Sequence, residues 1–270
     1  MRISERLLAI ALCAAFCLPL AGGQAFAFDA QKVFKEDKPA SRKILNFFFK
    51  ARKQGNQEDA VGALLYAAEQ GDHAAQWKLG RMYQTGDGVK KDPLEAFNFF
   101  RRVVENYSDA RPGTPDWQFT ASAMVALGDY YRSGIPEAGV APDPAEAQIM
   151  YNTAANYFGH PDGQFQLAKL YMAAPDADAN AIKAARMLKL ASNSGHAGAQ
   201  ALLGQMLFEG RHIRREAVRG LAMVMGAAER ANPADAPWIA AIQEESFALA
   251  SEEERRAAIA LLKSGGAASN

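Results

Sequence analysis

The residues of this chain that could do chemistry are few, and they form no recognisable catalytic or metal-binding pattern. Four histidines and two cysteines are present, at His73, His160, His196 and His212 and at Cys13 and Cys17. No two histidines have the His-x-x-x-His spacing that places two metal ligands on one face of a helix. The sequence also lacks a nucleophile elbow, a Walker loop and a dinucleotide-binding fingerprint. It therefore predicts a protein that is not an enzyme and binds neither a metal nor a cofactor.

Three of these histidines occupy equivalent places in the chain. His73, His160 and His196 each come one or two residues after a glycine that can end a helix. A histidine at the start of the next helix is near the positive end of the helix dipole, which disfavours its protonated form. Because imidazole titrates near pH 6.5, mild acid could loosen the fold at these three candidate pH-sensitive residues. The alternative is that the histidines are solvated and sense nothing.

The elements that position the histidines are helical hairpins repeated at a nearly fixed interval. The helix-ending residues are Gly71, Gly159, Gly195 and Asn232. Small residues lie four positions before them, at Ala67, Ala155, Ala191 and Ala228, and nine positions after them, at Gly80, Ala168, Gly204 and Ala241. The last two intervals are 36 and 37 residues, and the first, of 88, equals two repeats with an insertion. Such a period predicts an all-α superhelical solenoid of stacked hairpins.

A second motif supplies the copy hidden inside the long interval. The pattern Leu-Gly-x-x-Tyr occurs first at Leu79, Gly80 and Tyr83, then at Gly128 and Tyr131, and finally, with alanine for glycine, at Ala168 and Tyr171. A glycine inside a helix costs about 1 kcal/mol relative to alanine, so a packing reason is expected. We expect a neighbouring helix backbone to approach Gly80. Gly86 then opens the glycine-rich turn that follows this helix.

The first 27 residues have the pattern of a secretory signal peptide. Arg2 and Arg6 precede an apolar run of 14 residues, which is too short for an ordinary membrane-spanning helix. Ala25-Phe26-Ala27 is a small-x-small cleavage site, so the mature chain is expected to begin at Phe28 in the periplasm. Both cysteines would be removed, leaving 243 residues with 28 basic and 29 acidic side chains. This near-neutral balance gives no support for a nucleic-acid partner.

The mature chain divides into a flexible segment at 28–40, a solenoid of about six hairpins at 41–264 and a disordered tail at 265–270. The predicted helix pairs are Ser41–Gln54 with Gln57–Gln70, Ala74–Thr85 with Pro93–Glu105, Phe119–Ser133 with Pro144–Phe158, Asp162–Ala174 with Ala179–Asn193, Ala197–Glu209 with Arg214–Arg230, and Asp235–Ala250 with a helix that ends near Lys263. A capping box at Ser251–Glu254 is predicted to start the last helix.

Two segments are candidates for contact with a partner. A basic turn contains Arg211, Arg214, Arg215 and Arg219, and could face an acidic partner or simply be a solvated helix start. An insertion at 107–117 ends with Trp117 and could be a binding loop or merely a tolerated long loop. The first helix mixes Phe47–Phe49 with lysines and arginines. This mix is explained better by an aromatic core contact than by a membrane-surface helix.

The repeated residues resemble the Sel-1-like repeats, which are related to tetratricopeptide repeats. The matches are Ala-Ala-Glu-Gln-Gly at 67–71, Leu-Gly-x-x-Tyr at 79–83 and Gly-Asp-Gly-Val-Lys-Lys-Asp at 86–92. The whole arrangement is similar to the exopolysaccharide production negative regulators called ExoR. That resemblance implies a periplasmic inhibitor that binds the sensing domain of a membrane histidine kinase of the ExoS or ChvG type. Through the kinase it would control exopolysaccharide production, motility and the envelope response, and a periplasmic protease would relieve the inhibition.

Two classes of function therefore remain open at this point. The first is a regulatory inhibitor of an envelope sensor, and the second is a scaffold for envelope assembly with no signalling role. Deleting the gene separates them. Constitutive kinase output would support the inhibitor, whereas a misassembled envelope with unaltered kinase output would support the scaffold.

Overall fold

Thirteen α-helices and no β-strand make up the residues that the computed structural model describes, namely 28–35, 41–105, 110–174 and 177–265. In chain order the helices are α1 (Ala30–Phe34), α2 (Ser41–Lys53), α3 (Gln57–Glu69), α4 (His73–Thr85), α5 (Pro93–Glu105), α6 (Pro115–Ser133), α7 (Pro144–Asn156), α8 (Pro161–Ala173), α9 (Ala177–Asn193), α10 (Ala197–Glu209), α11 (Ala217–Arg230), α12 (Ala236–Leu249) and α13 (Glu252–Lys263). The predicted signal peptide and most of the predicted C-terminal tail lie outside the described residues.

The helices from α2 onward pack as consecutive antiparallel pairs. Each even-numbered helix from α2 to α10 packs against the odd-numbered helix that follows it, and each pair also packs against the next pair. The even-numbered helices touch one another as well, at α4–α6, α6–α8 and α10–α12, and so form one layer of the stack. The last helix, α13, packs chiefly on α11. The sequence prediction of an all-α solenoid of hairpins is confirmed.

The glycines that divide the hairpins have the conformation that the sequence predicted. Gly71, Gly159 and Gly195 have φ angles of 83°, 66° and 86°, in the left-handed region that other residues rarely adopt. Asn232 differs, because α11 ends at Arg230 and Asn232 does not have a positive φ. Its side-chain oxygen instead accepts hydrogen bonds from the backbone N–H groups of Ala234 and Asp235. Asn232 therefore shapes the turn that leads into α12.

Two helices begin at residues other than those predicted. Helix α6 begins at Pro115, four residues before Phe119, because proline is well tolerated in the first turn, where its missing N–H is not needed. Helix α11 begins at Ala217 instead of Arg214. The side chain of Arg215 folds back and donates to the carbonyl oxygen of Phe208 at 3.0 Å, which keeps this arginine in the turn.

The first residues of the mature chain are packed, contrary to the expected loose segment. Residues Ala30–Phe34 form a short helix in which Ala30 and Phe34 are buried. The rings of Phe28, Phe34 and Phe47 lie with their centroids 5.5–6.0 Å apart. These apolar side chains cover the exposed end of the first hairpin, as a terminal repeat requires.

The small residues in the middle of the even-numbered helices have two different packing reasons. At Gly80 and Gly128 the space is filled by aromatic rings, because an added Cβ would lie 2.7 Å from an atom of Phe100 and 2.5 Å from an atom of Tyr151. The expectation of a close backbone at Gly80 is therefore wrong. It holds at Gly204, where an added Cβ would lie 2.7 Å from the carbonyl oxygen of Gly220.

Candidate interaction surface

The three equivalent histidines lie at the start of their helices, but their surroundings differ. His160 and His196 are the N-cap residues of α8 and α10, and His73 is the first residue of α4. The Nδ1 atom of His73 is 3.9 Å from a carboxylate oxygen of Asp116. The Nε2 atom of His196 is 3.5 Å from a carboxylate oxygen of Asp162, which lies in the first turn of α8.

His160 and His196 lie in a largely buried environment that disfavours their charged forms. Burial lowers the pKa of both imidazoles below the ordinary value, and the nearby Asp162 carboxylate partly opposes this, with Asp235 also acting on His196. The Nδ1 atom of His196 accepts a hydrogen bond of 3.0 Å from the backbone N–H of Ala199, so it caps α10 in its neutral form. Burial, more than the helix dipole, is therefore the main cause of the lowered pKa.

Acid is expected to destabilise the fold through these two histidines. The unfolded chain binds more protons than the folded one once the pH falls below about 6.5, so this contribution to stability is complete above that pH. It is lost as the pH falls towards the lower pKa of the folded state, and protonated His196 also loses its cap, which is worth about 1 kcal/mol. A His160→Gln/His196→Asn variant should therefore lose about 1 kcal/mol less than the wild type between pH 7 and pH 5.5.

Thermal and urea unfolding at the two pH values measure this difference. His212→Asn is the matched control, because His212 lies in an exposed turn with a φ of 61°, which asparagine tolerates. Equal losses of stability in the wild type and the double variant would show that His160 and His196 do not sense pH.

The arginines of the basic turn are largely engaged within the chain itself. Ion pairs join Arg211 to Glu209 at 3.1 Å, Arg215 to Glu254 at 2.9 Å and Arg219 to Glu216 at 3.2 Å. Arg214 is exposed. Because three of the four arginines already have glutamate partners, the arrangement favours the explanation of a solvated helix start over that of a partner surface.

Trp117 is also used internally. Its ring centroid lies 4.3 Å from that of Phe158 and 5.3 Å from that of Tyr157. Its indole N–H donates to the carbonyl oxygen of Phe158 at 3.3 Å. Trp117 therefore joins the start of α6 to the loop after α7. Residues 106–109 of the predicted binding loop lie outside the described residues.

A cleft of about 800 Å³ opens between α2, the α3–α4 junction and the start of α6. Its lining includes the apolar side chains of Leu45, Phe49 and Phe119, with Arg42 and His73 among the polar residues. Phe49 is 61% exposed, which is unusual for a phenylalanine in a protein with a continuous core. The sequence analysis took Phe47–Phe49 as core residues. This holds for Phe48, which is fully buried, but not for Phe49.

A polar network at the opposite end of α6 gave no signal in the sequence analysis. The buried Tyr151 of α7 donates its hydroxyl to a carboxylate oxygen of Asp129 at 2.6 Å, and Arg132 donates to that hydroxyl at 3.4 Å. Burial raises the pKa of Asp129, although the hydrogen bond from Tyr151 opposes this. Burial together with the Asp129 carboxylate raises the pKa of the Tyr151 phenol. The network ties α6 to α7.

Replacing Tyr151 by phenylalanine is expected to cost about 1–2 kcal/mol of unfolding free energy. A hydrogen bond to a charged group is worth about 1.5–3 kcal/mol, but the side chain of Asp129 is 39% exposed, so water recovers part of that energy. Urea unfolding measures the loss. Tyr131→Phe is the control, because no hydrogen bond joins its hydroxyl to a described residue, and equal effects of the two variants would count against the network.

Buried glutamines form a further repeated feature. Gln76, Gln164 and Gln200 are buried, and each comes five residues after a helix-ending glycine. The amide nitrogens of Gln76 and Gln164 donate to the carbonyl oxygens of Ala68 and Ala155 in the preceding helix. Such bonds satisfy carbonyls that have no partner at the end of a helix. The repeat spacing carried this signal, but a polar residue gave no reason to expect burial.

Neither a metal centre nor a membrane span is found in the described part of the chain. Among these residues, no group of three or more histidine, cysteine, aspartate or glutamate side chains could hold a metal ion. Across the same ranges, no helix has the length and apolar character needed to cross a bilayer. The described residues therefore offer surfaces and clefts for binding, and no cluster with an evident catalytic geometry.

Comparison with known proteins agrees with this architecture. The Sel1 repeat family matches residues 73–105, 121–156, 161–196 and 197–223. An exopolysaccharide production negative regulator from Rhizobium meliloti (strain 1021) is 37% identical over 89% of this chain and 87% of its own length. A second one, from Rhizobium leguminosarum bv. viciae, is 38% identical over 88% of this chain and 87% of its own length. The chain belongs to this Sel1-repeat family of exopolysaccharide production negative regulators.

The solved structures support the fold of the family member described above. The crystal structure of a Sel1 repeat protein from Oxalobacter formigenes superposes with a TM-score of 0.60, at 22% identity, over 86% of this chain and 93% of that one. At this identity the likeness concerns the fold alone. Three of the four matched Sel1 segments begin at the first residues of α4, α8 and α10, so the repeat boundaries of the family coincide with the hairpins.

Proposed function

We propose that this protein is a periplasmic negative regulator of exopolysaccharide production. It acts by binding the sensing domain of a membrane histidine kinase and holding the kinase inactive. The observation that carries the proposal is the identity of 37–38% to two exopolysaccharide production negative regulators over nearly the whole chain. The stacked hairpins favour a binding role, because they present a continuous face to a partner over about 1,600 Å², the area of an ordinary stable interface.

The location of the protein is part of the proposal. Support comes from Arg2 and Arg6, the short apolar run and the Ala25-Phe26-Ala27 site. We expect cleavage after Ala27. Mass spectrometry of the protein purified from the periplasm should find Phe28 at the N-terminus, and a cytoplasmic chain that still carries the first 27 residues would contradict the proposal.

Removal of the inhibitor by a periplasmic protease is the third part of the proposal. It follows from the resemblance to the regulators alone. A pulse-chase measurement of the periplasmic protein, with and without an inducing signal, would test it. A constant lifetime under conditions that activate the kinase would exclude regulated proteolysis.

Gene deletion together with a binding measurement tests the proposed function. Deletion should give constitutive phosphorylation of the response regulator and raised exopolysaccharide, and a plasmid copy should restore both. The purified mature protein should bind the purified sensing domain in isothermal titration calorimetry. Unaltered kinase output with a misassembled envelope would favour the alternative, a periplasmic scaffold without a signalling role.

A further inference from the structure

The first helix of the solenoid, α2, carries a strong local charge in a chain whose formal net charge is zero. Its 13 residues, Ser-Arg-Lys-Ile-Leu-Asn-Phe-Phe-Phe-Lys-Ala-Arg-Lys, include five basic side chains and no acidic one. Basic and acidic residues are otherwise balanced along the chain. This local excess of positive charge attracts anionic groups and steers their approach.

The two faces of α2 have different roles. Ile44, Phe48 and Ala51 are buried against the first hairpin. The opposite face contains Arg42, Asn46, Phe49 and Lys53, all exposed and spaced by three or four residues. This spacing aligns them in one stripe about 16 Å long, at 1.5 Å per residue. The stripe has a basic residue at each end and the exposed Phe49 ring between them.

Most of the cations on this face are not used by the fold. Arg52 is the exception, because its guanidinium makes two hydrogen bonds, of 2.7 and 2.9 Å, to the Asp87 carboxylate. Arg42, Lys50 and Lys53 make no ion pair with any described residue, and all three are exposed. They therefore remain able to pair with carboxylates on another molecule.

The stripe borders the 800 Å³ cleft described above. Arg42, Asn46 and Phe49 line both the stripe and the cleft, and Leu45 and Phe119 supply the apolar surface beside them. The cleft is within the range of about 300–1,000 Å³ that is typical of sites for small ligands and buried side chains. An apolar recess with cations at its rim is complementary to a segment that carries carboxylates beside bulky apolar side chains.

We propose that the α2 surface, defined as Arg42, Leu45, Phe49, Lys50, Lys53 and Phe119, binds an acidic amphipathic segment of a partner protein. Carboxylates of the segment pair with the three cations, and its apolar side chains enter the cleft against Phe49 and Phe119. This inference rests on the proposed function, since the segment belongs to the sensing domain of the kinase. A membrane surface is disfavoured, because the apolar face of α2 is already buried in the core and Phe49 is the one large apolar side chain that it exposes.

Charge reversal on α2 tests the proposal. The purified sensing domain is titrated with the wild type, with Arg42→Glu/Lys50→Glu/Lys53→Glu, with Phe49→Ala, and with a control triple variant, Lys183→Glu/Arg186→Glu/Lys189→Glu, on the exposed side of α9. The α2 triple variant should raise Kd about 10–100-fold and weaken its dependence on salt, and Phe49→Ala should raise Kd about 10-fold. The α9 control should stay within about twofold of the wild type.

Each other outcome has a definite meaning. Circular dichroism must show helix content and melting unchanged in all variants, which is expected because every substituted side chain is exposed. Wild-type binding that the α2 variants do not weaken would overturn this inference and leave the proposed function standing, whereas no wild-type binding would overturn both. Loss of binding to phosphatidylglycerol vesicles, with binding to the sensing domain intact, would assign α2 to a membrane instead. Loss of self-association in light scattering, again with binding to the sensing domain intact, would assign it to a second copy.

Discussion

Truncation of Phe100 to alanine is expected to lower the free energy of unfolding by about 3–5 kcal/mol. The Phe100 ring is fully buried, and it packs with Ala123 and Leu127 of the next hairpin. On its other side it lies directly against Gly80, where an added Cβ would be 2.7 Å from the ring. Its removal therefore leaves a cavity where two hairpins meet, and neither can close it without moving the other.

The complementary substitution shows whether Gly80 is small in order to admit this ring. Gly80→Leu alone should cost about 1–3 kcal/mol by overpacking, although leucine is the better helix former. In the Gly80→Leu/Phe100→Ala variant the leucine can enter the vacated space. The combined loss should then be smaller than the sum of the single losses by about 1–2 kcal/mol. Urea unfolding followed by circular dichroism measures all three variants, and additive losses would show that the two sites do not share this space.

Replacing Gly220 by alanine is expected to cost about 2–3 kcal/mol, although alanine favours a helix over glycine by about 1 kcal/mol. An added Cβ would lie 2.5 Å from the carbonyl oxygen of Gly204 and 2.5 Å from the backbone nitrogen of Phe208. Both are backbone atoms of α10, so a side-chain rotation cannot relieve the clash. The two helices of the fifth hairpin would have to move apart.

Gly226→Ala is the matched control on the same helix. Its added Cβ would lie 3.2 Å from a methyl carbon of Leu262 and 3.3 Å from the amide nitrogen of Gln200, and both are ends of flexible side chains. Its stability should stay within about 1 kcal/mol of the wild type, because the helix propensity of alanine offsets a small adjustment. Similar melting temperatures for the two alanine variants would show that α10 and α11 are not held at backbone contact.

Local features of the fold could be predicted from the sequence. Gly71, Gly159 and Gly195 adopt the left-handed conformation that a helix end needs, and Asp72 caps α4 through a 2.8 Å hydrogen bond. The capping box of Ser251 and Glu254 is also present at α13. These features depend on residues within four positions of one another, so the sequence contains all the information that determines them. The period of the repeat then sets the number and order of the hairpins.

The sequence was less informative about side chains whose partners are distant in the chain. The arginines of the basic turn looked available, but Arg215 pairs with Glu254, which lies 39 residues later. Phe49 looked like a core residue beside Phe48, yet one turns outward and the other inward, because only packing on α3 and α4 decides which side of α2 is buried. The local pattern of a short basic and aromatic helix was compatible with either orientation.

The sequence by itself therefore determined an α-helical stack with known boundaries, because helix ends and repeat periods are short-range properties. Tertiary structure alone decided why each small residue is small. At Gly80 an aromatic ring fills the space, whereas at Gly204 the backbone of α11 does. It also decided which charges remain free for a partner. Such contacts join residues that lie 16 to 39 positions apart, and their geometry exists only after the hairpins have stacked.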